Sequence, residues 1–205
     1  TGPAARVDGH LVRHRADAVM IGTRTALTDD PSLDARRSDG SRFTKQPLRV
    51  VMGRREIPES YRIRGLAAEG PYDPDRFLQV FTHDPFELLS TLYDRGVRHL
   101  MIEGGPGMVG LFAGEDLVDE MIWYRAPLLL GHGKSAVYRL STGTLANAPR
   151  LHLDDLGMFP AVRVLGADTA THLVPVPRGD YQNPGARRIL ERCTECYAPE
   201  PREDG

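Results

Sequence analysis

The chain has 205 residues with 40% apolar content, enough to bury one sizeable core, and nothing in its composition points to disorder, collagen or coiled coil. Lys and Arg number 26 against 28 Asp and Glu, a formal net charge of -2 that excludes a strong overall pull toward nucleic acid or membrane. Two cysteines exclude a disulfide framework, apolar runs such as 126–130 are too short to span a bilayer, and no signal-like segment opens the chain, so a cytoplasmic protein is expected.

Thr1, Gly2 and Pro3 predict a cap and helix start, with the helix reaching about Arg15 and Ala5, Leu11 and Val12 facing inward. His10 and His14 lie one helical turn apart, but Leu11 stands where the zinc-protease motif needs Glu and no third ligand follows nearby. The pair reads as solvated. Residues 16–22 predict a buried strand ending in Gly22, and 23–33 a structured loop in which Thr25 offers a hydroxyl and Asp29 a carboxylate. The polar stretch 34–45, with Gly40 and several basic residues, reads as mobile. Residues 46–52 form a second strand closed by Gly53, Arg54 and Arg55; the two arginines either clamp a phosphate through bidentate guanidinium contacts or are a solvated pair.

A third strand is expected over 76–81. The helix after it has a strong start, with Asp84 as N-cap, Pro85 at the first position and Glu87 as capping-box partner. Phe86, Leu89 and Tyr93 share a face and predict its core side, and Gly96 ends it. The apolar run 97–103 then reads as a buried parallel strand with Glu103 at its carboxyl end, where open α/β sheets place ligands. Gly104 and Gly105 permit positive φ and close approach of an anion, and Pro106 suits a first helical turn whose amides attract phosphate. The bland alternative is a tight connection with a solvent-facing Glu. The repeated strand-helix-strand order favours a largely parallel sheet. Residues 117–127 read as a strand with Trp123 in the core or an interface, and 161–168 with 171–177 as a final hairpin. Beyond 178 the chain is charged and Pro-containing; Cys193 and Cys196 have redox or half-zinc-site spacing without a second pair, and read as free thiols.

In chain order, Ala16-Asp17-Ala18-Val19 with Gly22 and Thr25, Leu27-Thr28-Asp29-Asp30-Pro31-Ser32-Leu33, Gln46-Pro47-Leu48-Arg49-Val50-Val51, Glu103-Gly104-Gly105-Pro106, Leu117-Val118-Asp119-Glu120 and Ala126-Pro127-Leu128-Leu129-Leu130-Gly131 closely resemble the pyrimidine reductase of riboflavin biosynthesis. That family is the reductase domain of the bacterial bifunctional deaminase-reductase. The resemblance implies an α/β, dihydrofolate-reductase-like fold: a mostly parallel mixed sheet with helices on both faces and a C-terminal antiparallel hairpin. It implies a reductase domain over 1–177 and an extension over 178–205. The implied reaction is NADPH-dependent reduction of 5-amino-6-(5-phosphoribosylamino)uracil to the ribitylamino product, by a homodimer with the strand around Trp123 as candidate interface.

Carried over by motif, Arg13, Leu33, Arg36 and Glu103 would line the phosphorylated pyrimidine. Thr25, Asp29, Arg54, Gly105, Pro106, Gly107, Met108, Val109, Gly110 and Leu111 would hold NADPH, with Arg54 toward its 2′-phosphate. No catalytic acid or base is implied, since the protein chiefly places the reacting carbons. The family normally has an amino-terminal strand before the helix at Thr1, so a longer protein is expected. No His-x-Glu occurs, so deamination by this chain is not. The alternatives are a relative acting on a 2,5-diamino-pyrimidinone phosphate or dihydrofolate, and a non-catalytic nucleotide-binding module.

Overall fold

The computed structural model describes residues 1–65, 76–133, 135–138, 140, 148–154 and 160–176. The predicted extension from 178, with Cys193 and Cys196, lies outside them. The described elements are α1 (Pro3–Arg15), β1 (Ala18–Gly22), α2 (Thr23–Asp29), β2 (Leu48–Met52), a 3-10 turn (Arg62–Arg64), β3 (Phe77–Val80), α3 (Pro85–Asp94), β4 (Leu100–Ile102), α4 (Pro106–Gly114), β5 (Met121–Arg125), β6 (Leu151–Leu153), β7 (Val162–Leu165) and β8 (Asp168–Pro175).

Strands β3-β2-β1-β4 form an all-parallel sheet in that order, with Met20 opposite both Val50 and Ile102. Alternation along the strands sorts the core. Val19, Ile21 and Val51 pack with Ala26 of α2, Ile57 and Ile63 on one face. Ala18, Met20 and Val50 pack with Leu88 and Leu92 of α3 and Phe112 of α4 on the other. Both faces are therefore dry, as parallel sheets require. Each fully buried aliphatic or aromatic side chain here contributes about 1.5–3 kcal/mol.

The second sheet is antiparallel. Strand β8 pairs with β5 on one side and with β6 and β7 on the other. The expected hairpin is β7–β8, turning at Gly166 in a left-handed conformation with φ of 67°. It belongs to a fuller antiparallel sheet than the sequence indicated. Helix α1 is fastened to this sheet: Arg163 makes two contacts to Asp8, and the Tyr124 hydroxyl donates to Asp8 Oδ2 at 2.6 Å. Burial and then the Asp8 carboxylate push the Tyr124 phenol far above its ordinary value.

Several local expectations change. Residues 23–29 are helix α2, not loop, closed by Asp30 in a left-handed conformation with φ of 40°. Strand β4 is shorter than 97–103, because the amides of Arg98 and His99 donate to Asp17 Oδ2 at 3.1 and 3.0 Å rather than to a strand. Burial works against the Asp17 carboxylate, yet these amides keep its pKa below the ordinary range. In α3 the core side is Pro85, Leu88 and Leu92 with Leu89 packed beside them as expected, while Phe86 and Tyr93 are exposed. Asp84 caps the helix as expected, accepting from the amides of Phe86 and Glu87. Glu87 does not bond the Asp84 amide directly; Thr82 stands between, its hydroxyl donating to Glu87 and accepting from the Asp84 N–H at 3.0 Å. On α1, Ala5 is buried and Val12 half-buried, but Leu11 is exposed.

Candidate functional site at the strand ends

Three chain segments leave the carboxyl ends of parallel strands close together. Gly22 closes β1 and is the N-cap of α2; a Cβ there would sit 3.6 Å from the Met108 side chain on α4. Gly53 closes β2 at φ of 131°, and a Cβ there would approach Thr23 Oγ1 to 2.8 Å. Glu103 follows β4, its amide donating to Met20 O at 2.9 Å. The starts of α2 and α4 thus flank the end of β1, with Arg54 one residue beyond Gly53. Along this rim Thr25 is half-buried, and Asp29 and Arg54 are exposed.

The glycine turn works differently from expectation. Neither Gly104 nor Gly105 has positive φ; Gly105 is an extended N-cap at φ of -67°. Gly104 is instead demanded by space, because its Cβ would collide with Cβ of Met108 and lie 2.8 Å from its Cγ. Gly105 and Gly107 meet nothing within 4 Å of a built Cβ. Pro106 takes the first helical position and the Met108 amide donates to Gly105 O at 2.9 Å. The Gly107 amide, at the second helical position, has no carbonyl one turn earlier inside α4. A dipole end with open space over two glycines fits a pyrophosphate. Farther along the same stretch, Gly110 is buried in the helix and Met108 and Leu111 pack against the core, so their side chains are structural.

The residues expected to line a substrate lie beside this turn. Arg13, on the last turn of α1, clasps Glu103 with Nε and Nη2, the latter at 2.6 Å from Oε2. Burial opposes the Arg13 charge, but its hydrogen bonds with Glu103 raise its pKa above the ordinary value, so the pair is ionic. Arg13 Nη1 also donates to Asp34 O at 3.0 Å. Leu33 is 2% exposed and packs into the core with φ of 51°, so its side chain is not open to a ligand, contrary to expectation. Arg36 is held by Asp34, with Nη2 3.0 Å from Oδ2.

Two residues here had not been singled out. Asp34 and Arg42 sit in the stretch read as mobile, yet Arg42 Nε donates to Asp34 Oδ2 at 2.8 Å and Ser32 Oγ donates to Oδ1 at 2.8 Å. Burial alone would raise the Asp34 pKa, but bonds from Arg42, Arg36 and Ser32 hold it at about 2. An acidic residue two positions before an arginine in a basic loop was the available signal. The two histidines are half-buried and bonded rather than simply solvated. His10 Nδ1 lies 3.1 Å from Asp34 O and 3.3 Å from the Arg36 amide, and the His14 ring stacks on Phe43 at 3.9 Å. Burial and then Arg13 lower the His10 pKa. A cleft of about 540 Å³ near Asp17, Lys45 and Arg95 lies at the amino ends of β1 and β2, away from this rim.

A parallel sheet covered on both faces, with a glycine turn and helix start at its carboxyl edge, defines an α/β domain of the class that receives ligands at that edge. Residues 1–159 match the model of the RibD C-terminal domain, and the chain belongs to that family. It is 39% identical over 171 residues to the riboflavin biosynthesis protein RibD of Mycobacterium tuberculosis, covering 83% of this chain and 46% of that one. It is 33% identical over 146 residues to the 2,5-diamino-6-ribosylamino-4(3H)-pyrimidinone 5′-phosphate reductase of Archaeoglobus fulgidus, covering 58% and 66%. Among solved structures, form 2 of Acinetobacter baumannii RibD superposes with a TM-score of 0.67 at 30% identity, covering 86% of this chain and 51% of that one. The chain spans about half the length of the RibD relatives it matches. Among the described residues no helix is long and apolar enough to cross a membrane.

Proposed function

We propose that this chain is a pyrimidine reductase of riboflavin biosynthesis, reducing 5-amino-6-(5-phosphoribosylamino)uracil to the ribitylamino product with NADPH. The observation that carries the reading is the ionic clasp between Arg13 and Glu103, set immediately before the glycine turn at the end of β4. NADPH, when bound, supplies the hydride. The residues of the chain bind and orient. The start of α4 at Gly105, Pro106 and Gly107 receives the pyrophosphate, with Val109 and the rest of the stretch to Leu111 shaping the helix behind it. Thr25, Asp29 and Arg54 complete the cofactor rim, Arg54 facing the 2′-phosphate.

On the substrate side, Glu103 accepts from a sugar hydroxyl while Arg13 fixes the carboxylate plane. Arg36 and the main chain at Leu33 lie farther out, toward the phosphate. No strong acid or base is needed among them, because placing donor and acceptor carbons is itself the larger part of the rate. The Archaeoglobus relative is named for a pyrimidinone that also carries a ribosyl 5′-phosphate, and the same arginines serve either ring. Dihydrofolate, without that phosphate, would leave Arg36 without a role.

We also propose a cytoplasmic homodimer. Cross-strand register places Trp123, Leu151, Leu153, Val162 and Val164 on one face of the antiparallel sheet, and all five are exposed. Asp8, Tyr124 and Arg163 occupy the other face with α1. A second copy covers this face, which is apolar apart from Arg125, Thr169 and Thr171, through an isologous contact.

The cofactor reading is tested with Arg54→Ala. Removing one guanidinium contact to a phosphate costs roughly 1.5–3 kcal/mol, so KM for NADPH should rise about tenfold or more while KM for NADH stays within about twofold. Equal effects on the two cofactors would remove Arg54 from the 2′-phosphate.

A further inference from the structure

Strands β2 and β3 end side by side, tied by Gly53 N donating to Val80 O at 3.0 Å. Beyond that tie the chain continues as Arg54 on one strand and Phe81 on the other, and both are exposed. Gln79 fixes how the two lie. Its side chain donates to Gly53 O at 3.2 Å and to Arg55 O at 2.7 Å, and accepts from Ile57 N at 3.2 Å, so segment 53–57 is stitched to that face of β3. Phe81 follows Gln79 by two residues, and burial keeps alternating past the strand end. Val80 and Thr82 are 9% and 4% exposed, and Phe81 between them is 58% exposed. Its ring therefore stands on the Gln79 side, beside the segment that carries Arg54.

The backbone under this ring is held without the ring. The Thr82 hydroxyl donates to Glu87 and accepts from Asp84 N at 3.0 Å, which locks the residue after Phe81 to the start of α3. Among the described residues the Phe81 ring has no ring partner, and Arg54 has no hydrogen bond or ion pair. A lone exposed aromatic is common on a protein surface. This one closes a strand at the carboxyl edge of a parallel sheet, where ligands bind, next to an unpaired guanidinium.

On the reading proposed above, in which Arg54 faces the 2′-phosphate of NADPH, the adenine ring is one ribose away from that guanidinium. We infer that Phe81 is the platform on which this adenine stacks, so that the ends of β2 and β3 together recognise a purine nucleotide through one charge and one ring face. A purine offers its π-face to an aromatic side chain without any hydrogen bond, which suits a ring that has no polar atom.

The test is calorimetric titration of the full chain with three probes: NADPH, its adenosine half 2′,5′-ADP, and reduced nicotinamide mononucleotide, which lacks that half. Phe81→Ala should weaken NADPH and 2′,5′-ADP about tenfold each, the loss of one base–aromatic stack, and leave the mononucleotide within about twofold. Phe81→Trp should bind 2′,5′-ADP at least as tightly as wild type, whereas Phe81→Leu, apolar without a π-face, should bind it like Phe81→Ala. Because the ring is exposed, all three variants should unfold at the wild-type temperature. Equal losses on all three probes, wild-type affinity for 2′,5′-ADP in Phe81→Leu, or a wild type that does not bind 2′,5′-ADP would overturn the inference. Phe81-dependent binding of 2′,5′-ADP in a protein that reduces no pyrimidine would sink the reductase reading and keep the subsite. An active wild type whose Phe81→Ala form binds every probe unchanged would do the reverse.

Discussion

Glu103 is where charge and position meet in one side chain. Its carboxylate is the partner that raises the Arg13 pKa against burial, and it lies one residue before the glycine turn that opens α4. Glu103→Gln keeps the size of the group and removes the charge. KM for the pyrimidine should rise about 10–100-fold, the span of a hydrogen bond to a charged group, with NADPH affinity within about twofold. Steady-state kinetics and cofactor titration check this, and an unchanged pyrimidine KM would take Glu103 out of the substrate site. Arg13 and Glu103 were legible in the sequence because each stands in an ordered motif. Asp34 and Arg42 were not. Polar groups that satisfy one another across a loop leave no periodicity, and a stretch rich in Arg, Ser and Gly reads as solvated until its partners are known. Leu33 was misleading as a side chain, since it is a buried core leucine with a left-handed backbone.

The elements were legible where start and stop signals coincide. Pro3, Pro85 and Pro106 each mark a helix start that the structure contains, and Gly96 follows the end of α3 with φ of 83°. The inward face of α3 was legible only at Leu89, which packs at the edge of the core, because Phe86 and Tyr93 fit a helical stripe as well as Leu88 and Leu92 do. The sheet decides between them, taking the aliphatic pair into contact with Met20 and Val50. The two glycines before α4 separate packing from ligand space. Gly104→Ala must push Met108 out of its place and should destabilise by about 1–3 kcal/mol, seen as a lower unfolding temperature. Gly105→Ala, facing open space at an extended N-cap, should cost less than about 1 kcal/mol while weakening NADPH binding several-fold. Full NADPH affinity in the folded Gly105→Ala protein would mean that the cofactor does not approach this turn.

For the whole molecule, the parallel half was legible from its repeated strand-helix order, and the antiparallel half only at its last hairpin. Strand β6 is three residues long and the pairing of β5 with β8 spans some fifty residues of chain, so no local pattern announces either. The sheet register then exposes Leu153 and Val164 on one apolar face. Leu153→Glu with Val164→Glu should turn a dimer into a monomer by sedimentation velocity without lowering the helix content. A wild type that is already monomeric, or a variant that stays dimeric, would reject that face as the interface. The chemistry proposed at the carboxyl edge of the parallel sheet is read most directly by the loss of NADPH absorbance when the protein meets 5-amino-6-(5-phosphoribosylamino)uracil. One NADPH should be oxidised for each ribitylamino product formed, at a rate that falls sharply in Glu103→Gln at fixed low substrate. A folded protein that binds NADPH yet leaves it unoxidised in the presence of that pyrimidine would contradict this chemistry.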